Sequence, residues 1–428
     1  MVGLLLAARR VLASCATLLL SATLASCSGR DEASSHPDGQ PDAQPDAQLD
    51  ARPDAQVDGQ DDARATGPDA APPGSDASPR RTVVRVHYPS GIGPAGTRKV
   101  TLRGSTAPWS WTTGVELRAE ADDTWVLETE ALTVEAEWKP LLDDATWSRG
   151  PNYRVRPGAT VDVWPHFVRT QGRYERYLSA FTSAALGNTR GVWVYWPPTA
   201  LENPKARFPV VYMHDGQNLF DAKTAFGGNE WKVDETMDAA AEDGSIREAI
   251  VVGPENTANR LAEYTPTADP AYAPSGAGDA YLKMLVEELK PRIDAELPTM
   301  PGRQDTAIVG SSLGGLISVY AGCKQATTWG LVGALSPSTW WDSKAILSTV
   351  LGTKGAAARP LRVYVDSGDA GASSDGVADT ARLADAYRAL GYAEGVDLRY
   401  VVQKGATHSE VYWAQRLPGA LAFLLGPR

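Results

Sequence analysis

The 428-residue chain carries 52 acidic against 41 basic side chains, a net charge of −11, with five histidines and three cysteines. Twelve of the acids and only two arginines fall between residues 31 and 79, a local charge of −10 that leaves −1 for everything else. The part able to fold is therefore nearly neutral and has no basic stripe with interleaved aromatics, which argues against a nucleic-acid partner. Cys15, Cys27 and Cys323 stand in no metal-ligand spacing, excluding a disulfide framework and a Cys-based zinc site.

Residues 1–27 place Arg9 and Arg10 ahead of an apolar run, Val11 to Leu24, and close on Leu24-Ala25-Ser26-Cys27. The run is shorter than the ~20 residues a membrane span needs, and small residues precede its end, so an export signal is expected. Its last four residues resemble a bacterial lipobox. That resemblance implies lipidation at Cys27, an anchor in the cell envelope and, with Ser28 following, the outer membrane of a Gram-negative host. Residues 28–80 repeat every four positions, at Pro41, Pro45, Leu49 and Pro53, each followed by Asp-Ala and Gln or Arg. With almost no core-forming side chains and mutually repelling charges, this segment is expected to be a disordered tether.

From 81 to 168 the pattern alternates. Val83, Val84 and Val86, then Val100 and Leu102, Trp125 to Leu127, Val134 to Trp138, and Val161 and Val163 read as short strands between Gly, Pro and Asp turns, predicting a small all-β sandwich. Gly91-Ile-Gly-Pro-Ala-Gly96 matches G-x-G-x-x-G, but Pro94 removes a backbone donor and a strand follows, so no dinucleotide is expected there. The segment from Trp138-Lys139 through Trp147 to Asn152 resembles the later part of starch-binding and glycogen-binding modules. The resemblance implies a glycan platform made of these four residues.

From 173 to 428 apolar runs alternate with helical patterns. Val192–Tyr195, Val210–Met213, Ala249–Val252, Ala307–Val309, Leu331–Leu335, Arg362–Val365 and Leu398–Val402 read as strands, and Tyr281–Leu297 as an amphipathic helix. Strands apolar throughout and alternating with helices predict an α/β domain with a mostly parallel sheet covered on both faces. Within it, Gly310-Ser311-Ser312-Leu313-Gly314 sits between a β-branched strand and a helical stretch and fits G-x-S-x-G. Ser312 is the candidate nucleophile; Ser311 is out of register, flanked by Val309 and Leu313.

A serine hydroxyl needs a base, and the base needs a partner that orients it. Of His36, His87, His166, His214 and His408, only His408 follows Ser312, as the order Ser, acid, His requires. The acid belongs after the strand Arg362–Val365. There Asp366 reads as the strand end, and Asp375, ahead of the helix Val377 to Leu390, ranks before Asp369. An oxyanion needs two backbone donors, expected at Leu313 and at Gln217 after the sharp exit His214-Asp215-Gly216, where His214 is a structural turn residue.

Met213-His-Asp-Gly-Gln-Asn-Leu-Phe220, Arg260-Leu-Ala-Glu-Tyr-Thr-Pro266, Gly310 to Gly315, Leu335-Ser-Pro-Ser-Thr-Trp-Trp341 and His408-Ser-Glu-Val-Tyr-Trp413 together resemble the enterochelin-esterase and esterase D-like family of α/β-hydrolases. The resemblance implies a serine carboxylic-ester hydrolase with no cofactor and no metal, acting on a siderophore or glycan-linked ester, with no protein partner. It further implies that Trp231, Arg260, Glu263 and Trp341 line the substrate side. Acyl transfer by the same machinery, and an inert glycan-binding lipoprotein, are the alternatives.

Overall fold

A computed structural model of the chain describes residues 81–89, 91, 99–371 and 373–427. The expected export signal with Cys27, the expected tether and the glycine-rich match beyond Gly91 lie outside the described residues.

The alternating segment forms β1 (Thr82–His87), β2 (Val100–Gly104), β3 (Val115–Glu116), β4 (Arg118–Glu120), β5 (Thr124–Thr129), β6 (Ala136–Leu142), β7 (Thr146–Trp147), β8 (Tyr153–Val155) and β9 (Thr160–Val163). One sheet runs β4-β5-β1-β9, the other β3-β2-β6-β7 with β8 also on β6. Because side chains alternate across a strand, Val84 and Val86 of the first sheet meet Val100, Leu102 and Trp138 of the second in one core, all fully buried.

The second region opens with β10 (Arg173–Ser183) and β11 (Asn188–Trp196) and continues through α1 (Pro198–Glu202), β12 (Val210–Met213), α2 (Val233–Asp243), β13 (Ile250–Pro254) and α3 (Arg260–Glu263). It goes on with α4 (Gly278–Lys283), α5 (Lys290–Glu296), β14 (Thr306–Ser311), α6 (Leu313–Lys324), β15 (Leu331–Leu335) and α7 (Trp341–Leu351). It ends with β16 (Arg362–Gly368), α8 (Val377–Ala389), β17 (Leu398–Gln403) and α9 (Glu410–Leu425). The sheet order is β10-β11-β13-β12-β14-β15-β16-β17, antiparallel only where β10 meets β11 and β11 meets β13. This is the α/β class expected from the apolar strands. Val210, Ile308 and Val332 point into a core shared with α4, α6 and α8, while Val211, Ala307, Val309 and Leu331 point into the opposite core with α2 and α9. Each of the buried valine, isoleucine and leucine side chains among these contributes about 1.5–3 kcal/mol.

Two elements differ from the sequence reading. The strand β10 carries Arg173, Glu175 and Arg176 among its apolar residues, and most of its residues are exposed or half-buried. An edge strand of this kind lacks the unbroken apolar run by which the inner strands are recognised. The single helix expected over Tyr281–Leu297 is α4 and α5 joined by a π-helical segment, Met284–Leu289. Pro291, in the first turn of α5, has no N–H for the regular ladder, and the widened turn just before it accommodates the loss.

The two-sheet region docks on the second through Glu202. This buried carboxylate at the end of α1 accepts from Tyr88 Oη (2.9 Å) and from the backbone N–H groups of Phe167 (2.7 Å), Val168 (3.0 Å) and Arg169 (2.9 Å). A buried carboxylate is tolerable only with such a full set of donors.

Candidate active site

Parallel strands leave their C-terminal ends on one edge, and loops leaving neighbouring strands meet there. Registers pair Ser311 of β14 with Leu335 of β15, and Leu335 with Asp366 of β16. The loops after β14, β15, β16 and β17 thus bring Ser312, the segment 336–338, Asp375 and His408 to adjacent strand ends.

Ser312 occupies φ 56°, ψ −123°, a conformation a non-glycine residue rarely adopts. Its N–H donates to Leu335 O (3.0 Å) and its carbonyl accepts from Ser338 N (2.9 Å), which fix the strained turn. The turn also requires Gly310, because a Cβ there would come within 2.7 Å of the His214 ring and 2.8 Å of the Gly314 carbonyl carbon. The Ser312 hydroxyl lies 3.3 Å from Ser338 Oγ and is not hydrogen-bonded to His408. Nucleophile–base contacts are often long in ligand-free enzymes and tighten only on substrate binding.

Nδ1 of His408 is 2.6 Å from Asp375 Oδ1, and the ring packs edge-on against Trp413, 5.0 Å between centroids. The histidine side chain is 43 % exposed, leaving Nε2 accessible, while the Asp375 side chain is fully buried. The other Asp375 oxygen accepts from Ser336 Oγ (2.6 Å) and from the Gly368 N–H. Burial alone would raise the Asp375 carboxyl, but the hydrogen bonds from His408, Ser336 and Gly368 hold it below the usual carboxylate range. Asp369 is elsewhere: exposed, it accepts from the Gly405 N–H (2.6 Å) and braces the acid loop against the turn before His408.

Leu313 is the first residue of α6 and Gln217 lies in the one-turn 3₁₀ helix Gly216–Asn218, so neither amide can have an intrahelical partner. The two loops are adjacent, since Met213 pairs with Val309 and the His214 N–H donates to Val309 O (3.1 Å). Gly216 is required here, because a Cβ would overlap Gly253 O at 2.0 Å. Asp215 is left-handed (φ 59°) and held by a two-pronged pair with Arg260, Nε–Oδ1 2.7 Å and Nη2–Oδ2 2.8 Å. His214 is buried, with Nδ1 2.9 Å from Tyr281 Oη and Nε2 3.1 Å from Ser318 Oγ. Burial pushes its pKa down to about 3, so it stays neutral and structural.

The structure corrects part of the substrate-side and glycan sets. Glu263 is buried and pairs with Arg190 (2.8 Å) and the Asn188 amide (2.6 Å), so it belongs to the scaffold. Trp341 is buried and donates from Nε1 to Thr267 O, and Trp231 is a core residue tilted against Trp413, 5.8 Å between centroids. Arg260 keeps some exposure, but its guanidinium is committed to Asp215. Trp138 is fully buried against Tyr153, because its strand position faces the core between the two sheets, and it cannot stack on a sugar. Lys139 donates to Gly150 O, Asn152 bonds Glu137, and Trp147 stays exposed, tilted 6.1 Å from exposed Trp111 under the Arg103 guanidinium.

The residues missed from sequence are Ser336, Ser338, Trp340 and Tyr272. Trp340 (45 % exposed) and Tyr272 (44 % exposed) are 5.7 Å apart and both pack on buried Trp341. Trp340 stands two residues beyond Ser338, the neighbour of the Ser312 hydroxyl. The motif Leu335-Ser-Pro-Ser-Thr-Trp-Trp341 was visible in the sequence, but not which tryptophan faces outward. A groove of about 500 Å³ also opens beyond His408, between Ala222, Gly228 to Glu230 and Lys232 on one side and Val411, Ala414 and Gln415 of α9 on the other. Ser312 is not among its lining residues.

A mostly parallel sheet with a strained serine at a strand–helix turn and an Asp–His pair beyond the last strands defines an α/β-hydrolase. Residues 183–424, more than half the chain, match the family model described as "Putative esterase", and the protein belongs to that family, the serine-type carboxylic ester hydrolases that include the enterochelin esterases. The chain is 28 % identical over 253 residues to the uncharacterized protein YbbA of Bacillus subtilis, spanning 56 % of this chain and 94 % of that protein. It is 28 % identical over 172 residues to the siderophore triacetylfusarinine C esterase of Aspergillus fumigatus, covering 38 % of this chain and 57 % of the relative. Over 303 residues it is 22 % identical to the iron(III) enterobactin esterase of Escherichia coli, covering 63 % and 69 %. Solved structures similar to it include an enterobactin esterase from Shigella flexneri, with TM-score 0.47 and 15 % identity over 80 % of this chain and 92 % of that one. A ferulic acid esterase has TM-score 0.47 and 21 % identity over 60 % and 98 %.

Proposed function

We propose that this carboxylic ester hydrolase works through Ser312, His408 and Asp375 by an acyl-enzyme, and that its substrate is an ester bearing an aromatic group, of the siderophore kind. The observation that carries the reading is the Asp375–His408 contact (2.6 Å) at strand ends adjacent to the strained Ser312 turn. His408 Nε2 takes the hydroxyl proton as Ser312 Oγ bonds to the ester carbonyl carbon. Charge collecting on the carbonyl oxygen meets the Leu313 and Gln217 amides, which are already oriented. The intermediate collapses by breaking the bond to the alcohol oxygen, which leaves with the proton from His408. Water then repeats the attack on the acyl-enzyme, giving its proton to His408, and the carboxylic acid departs as Ser312 regains its own.

The exposed Trp340 and Tyr272 rings support the aromatic part of the reading, and the siderophore esterases among the relatives support the siderophore part. Trp340→Ala is expected to raise KM for a 2,3-dihydroxybenzoyl or feruloyl ester about tenfold, the ~1.4 kcal/mol of one aromatic contact, with kcat little changed and acetyl esters unaffected. A steady-state comparison across the three esters checks this. An equal loss on acetyl esters would remove the aromatic specificity from these rings.

The signal-like residues 1–27, closing on Cys27, support action outside the cytoplasm with that cysteine as the lipid anchor. Expression in a Gram-negative host with globomycin, which blocks lipoprotein signal cleavage, is expected to accumulate the uncleaved chain; unchanged processing would rule the anchor out.

A further inference from the structure

Behind the Asp375–His408 pair lies a second buried carboxylate that the mechanism does not use. Asp366, at the end of β16, has a fully buried side chain, and Arg416 of α9 is 4 % exposed. Arg416 Nε is 3.0 Å from Asp366 Oδ2, an ion pair rather than an aligned hydrogen bond. The guanidinium also donates from Nη2 to Ser336 Oγ (2.8 Å) and from Nη1 to Gln403 Oε1 (2.9 Å), and its Nη2 is 3.8 Å from Asp375 Oδ2. Ser336 Oγ accepts from Arg416 and from Trp413 Nε1 (3.0 Å), so both lone pairs are taken and its one proton goes to Asp375. One buried cation is thus shared between two buried carboxylates, only one of which touches the histidine.

We propose that Asp366 is a positioning residue acting through Arg416: it cancels the guanidinium charge so that the Asp375 carboxylate keeps its negative charge for the His408 imidazole. The inference rests on the Ser312–His408–Asp375 reading above. With Asp366 ionised, Asp366, Arg416 and Asp375 sum to −1, and the cluster becomes neutral when His408 takes the serine proton. Without that charge the sum is zero before reaction and +1 after it, and a buried net charge is unfavourable where the dielectric is low. The other groups facing Asp366 are the Ser336 N–H (3.0 Å) and the Tyr364 hydroxyl, with Arg399 acting on Tyr364 from β17. Burial raises the Asp366 carboxyl to about 6 despite Arg416, so it is ionised at pH 7 to 8 and loses its charge in mild acid.

The test is the titration of His408 followed by NMR in the ¹³C-histidine-labelled full chain, its resonance assigned with His408→Gln. Asp366→Asn is expected to lower the His408 midpoint by about one pH unit, tenfold in its proton affinity, and to move the acid limb of kcat/KM the same way. The double variant Asp366→Asn, Arg416→Gln restores a cluster charge of −1 and is expected to return the midpoint to the wild-type value. A neutral replacement of a buried pair is commonly tolerated, and Asp366→Ser stands in if the asparagine variant does not fold. An unmoved midpoint with native His166 and His214 signals overturns the proposal, as does a double variant that stays shifted. The titration needs no turnover. A chain inactive on aryl esters would therefore refute the esterase mechanism while leaving the charge relationship to be decided by the NMR result.

Discussion

Ser312→Ala is expected to lower kcat for aryl ester hydrolysis by about 10⁵–10⁶-fold, with KM and thermal midpoint nearly unchanged, because a triad without its nucleophile retains only binding and oxyanion stabilisation. Ser338 sharpens the prediction. Its hydroxyl is 3.3 Å from that of Ser312, close enough to offer a substitute nucleophile. It lies outside the strained turn and, unlike Ser312, does not directly precede the proposed oxyanion donor Leu313 in the chain. Residual activity within 10³-fold of wild type, abolished only by a further Ser338→Ala, would transfer the nucleophile to Ser338. Rates of nitrophenyl or feruloyl ester hydrolysis decide it directly.

Asp375→Asn is expected to cost on the order of 10⁴ in kcat with little change in KM. All three partners of this carboxylate are donors: His408 Nδ1, Ser336 Oγ and the Gly368 N–H. An amide offers one acceptor oxygen and an NH₂ group. If the oxygen keeps Ser336 and Gly368, the NH₂ faces Nδ1 and selects the tautomer that puts the imidazole proton on Nε2, where a base is needed. If it turns over, the NH₂ points at two donors in a buried site. The stability consequence has a definite sign. A carboxyl whose folded pKa is depressed contributes stability above its unfolded pKa, lost as pH falls through the folded value, so the variant gives up stability at neutral pH and little in strong acid. Asp369→Asn is the control: its carboxylate meets Gly405, and a comparable kcat loss there would contradict the assignment of the acid.

The parallel sheet was legible because its inner strands, such as Val210–Met213 and Leu331–Leu335, are buried on both faces and need unbroken apolar runs. The Ser312 turn was legible for a related reason: the chain folds back so closely on itself that Gly310 is required by the His214 ring and Gly314. Local sequence carries both signals. What it does not carry is the facing of a side chain set by a distant element. Trp138 and Trp147 read alike, yet register places the first inside the two-sheet core and leaves the second in solvent. Glu263 lies in a motif that resembles a substrate wall, but an arginine 73 positions earlier takes it into the interior. Asp369 and Asp375 share one loop, and only the left-handed turn at Asp375 (φ 48°), with Ser336 waiting 39 positions away, directs the second toward His408. The edge strand β10 stayed hidden because a half-exposed strand may be as polar as a loop.

The proposed chemistry requires an activated serine at the turn after β14. Fluorophosphonate labelling of the purified chain, mapped by peptide mass spectrometry beside Ser312→Ala and His408→Gln, tests it most directly. The expected result is one labelled site, Ser312, absent from the alanine variant and slowed by at least 10³-fold without the histidine. Folded protein that takes no label, or label that persists in Ser312→Ala, would contradict the mechanism and leave the turn as architecture alone.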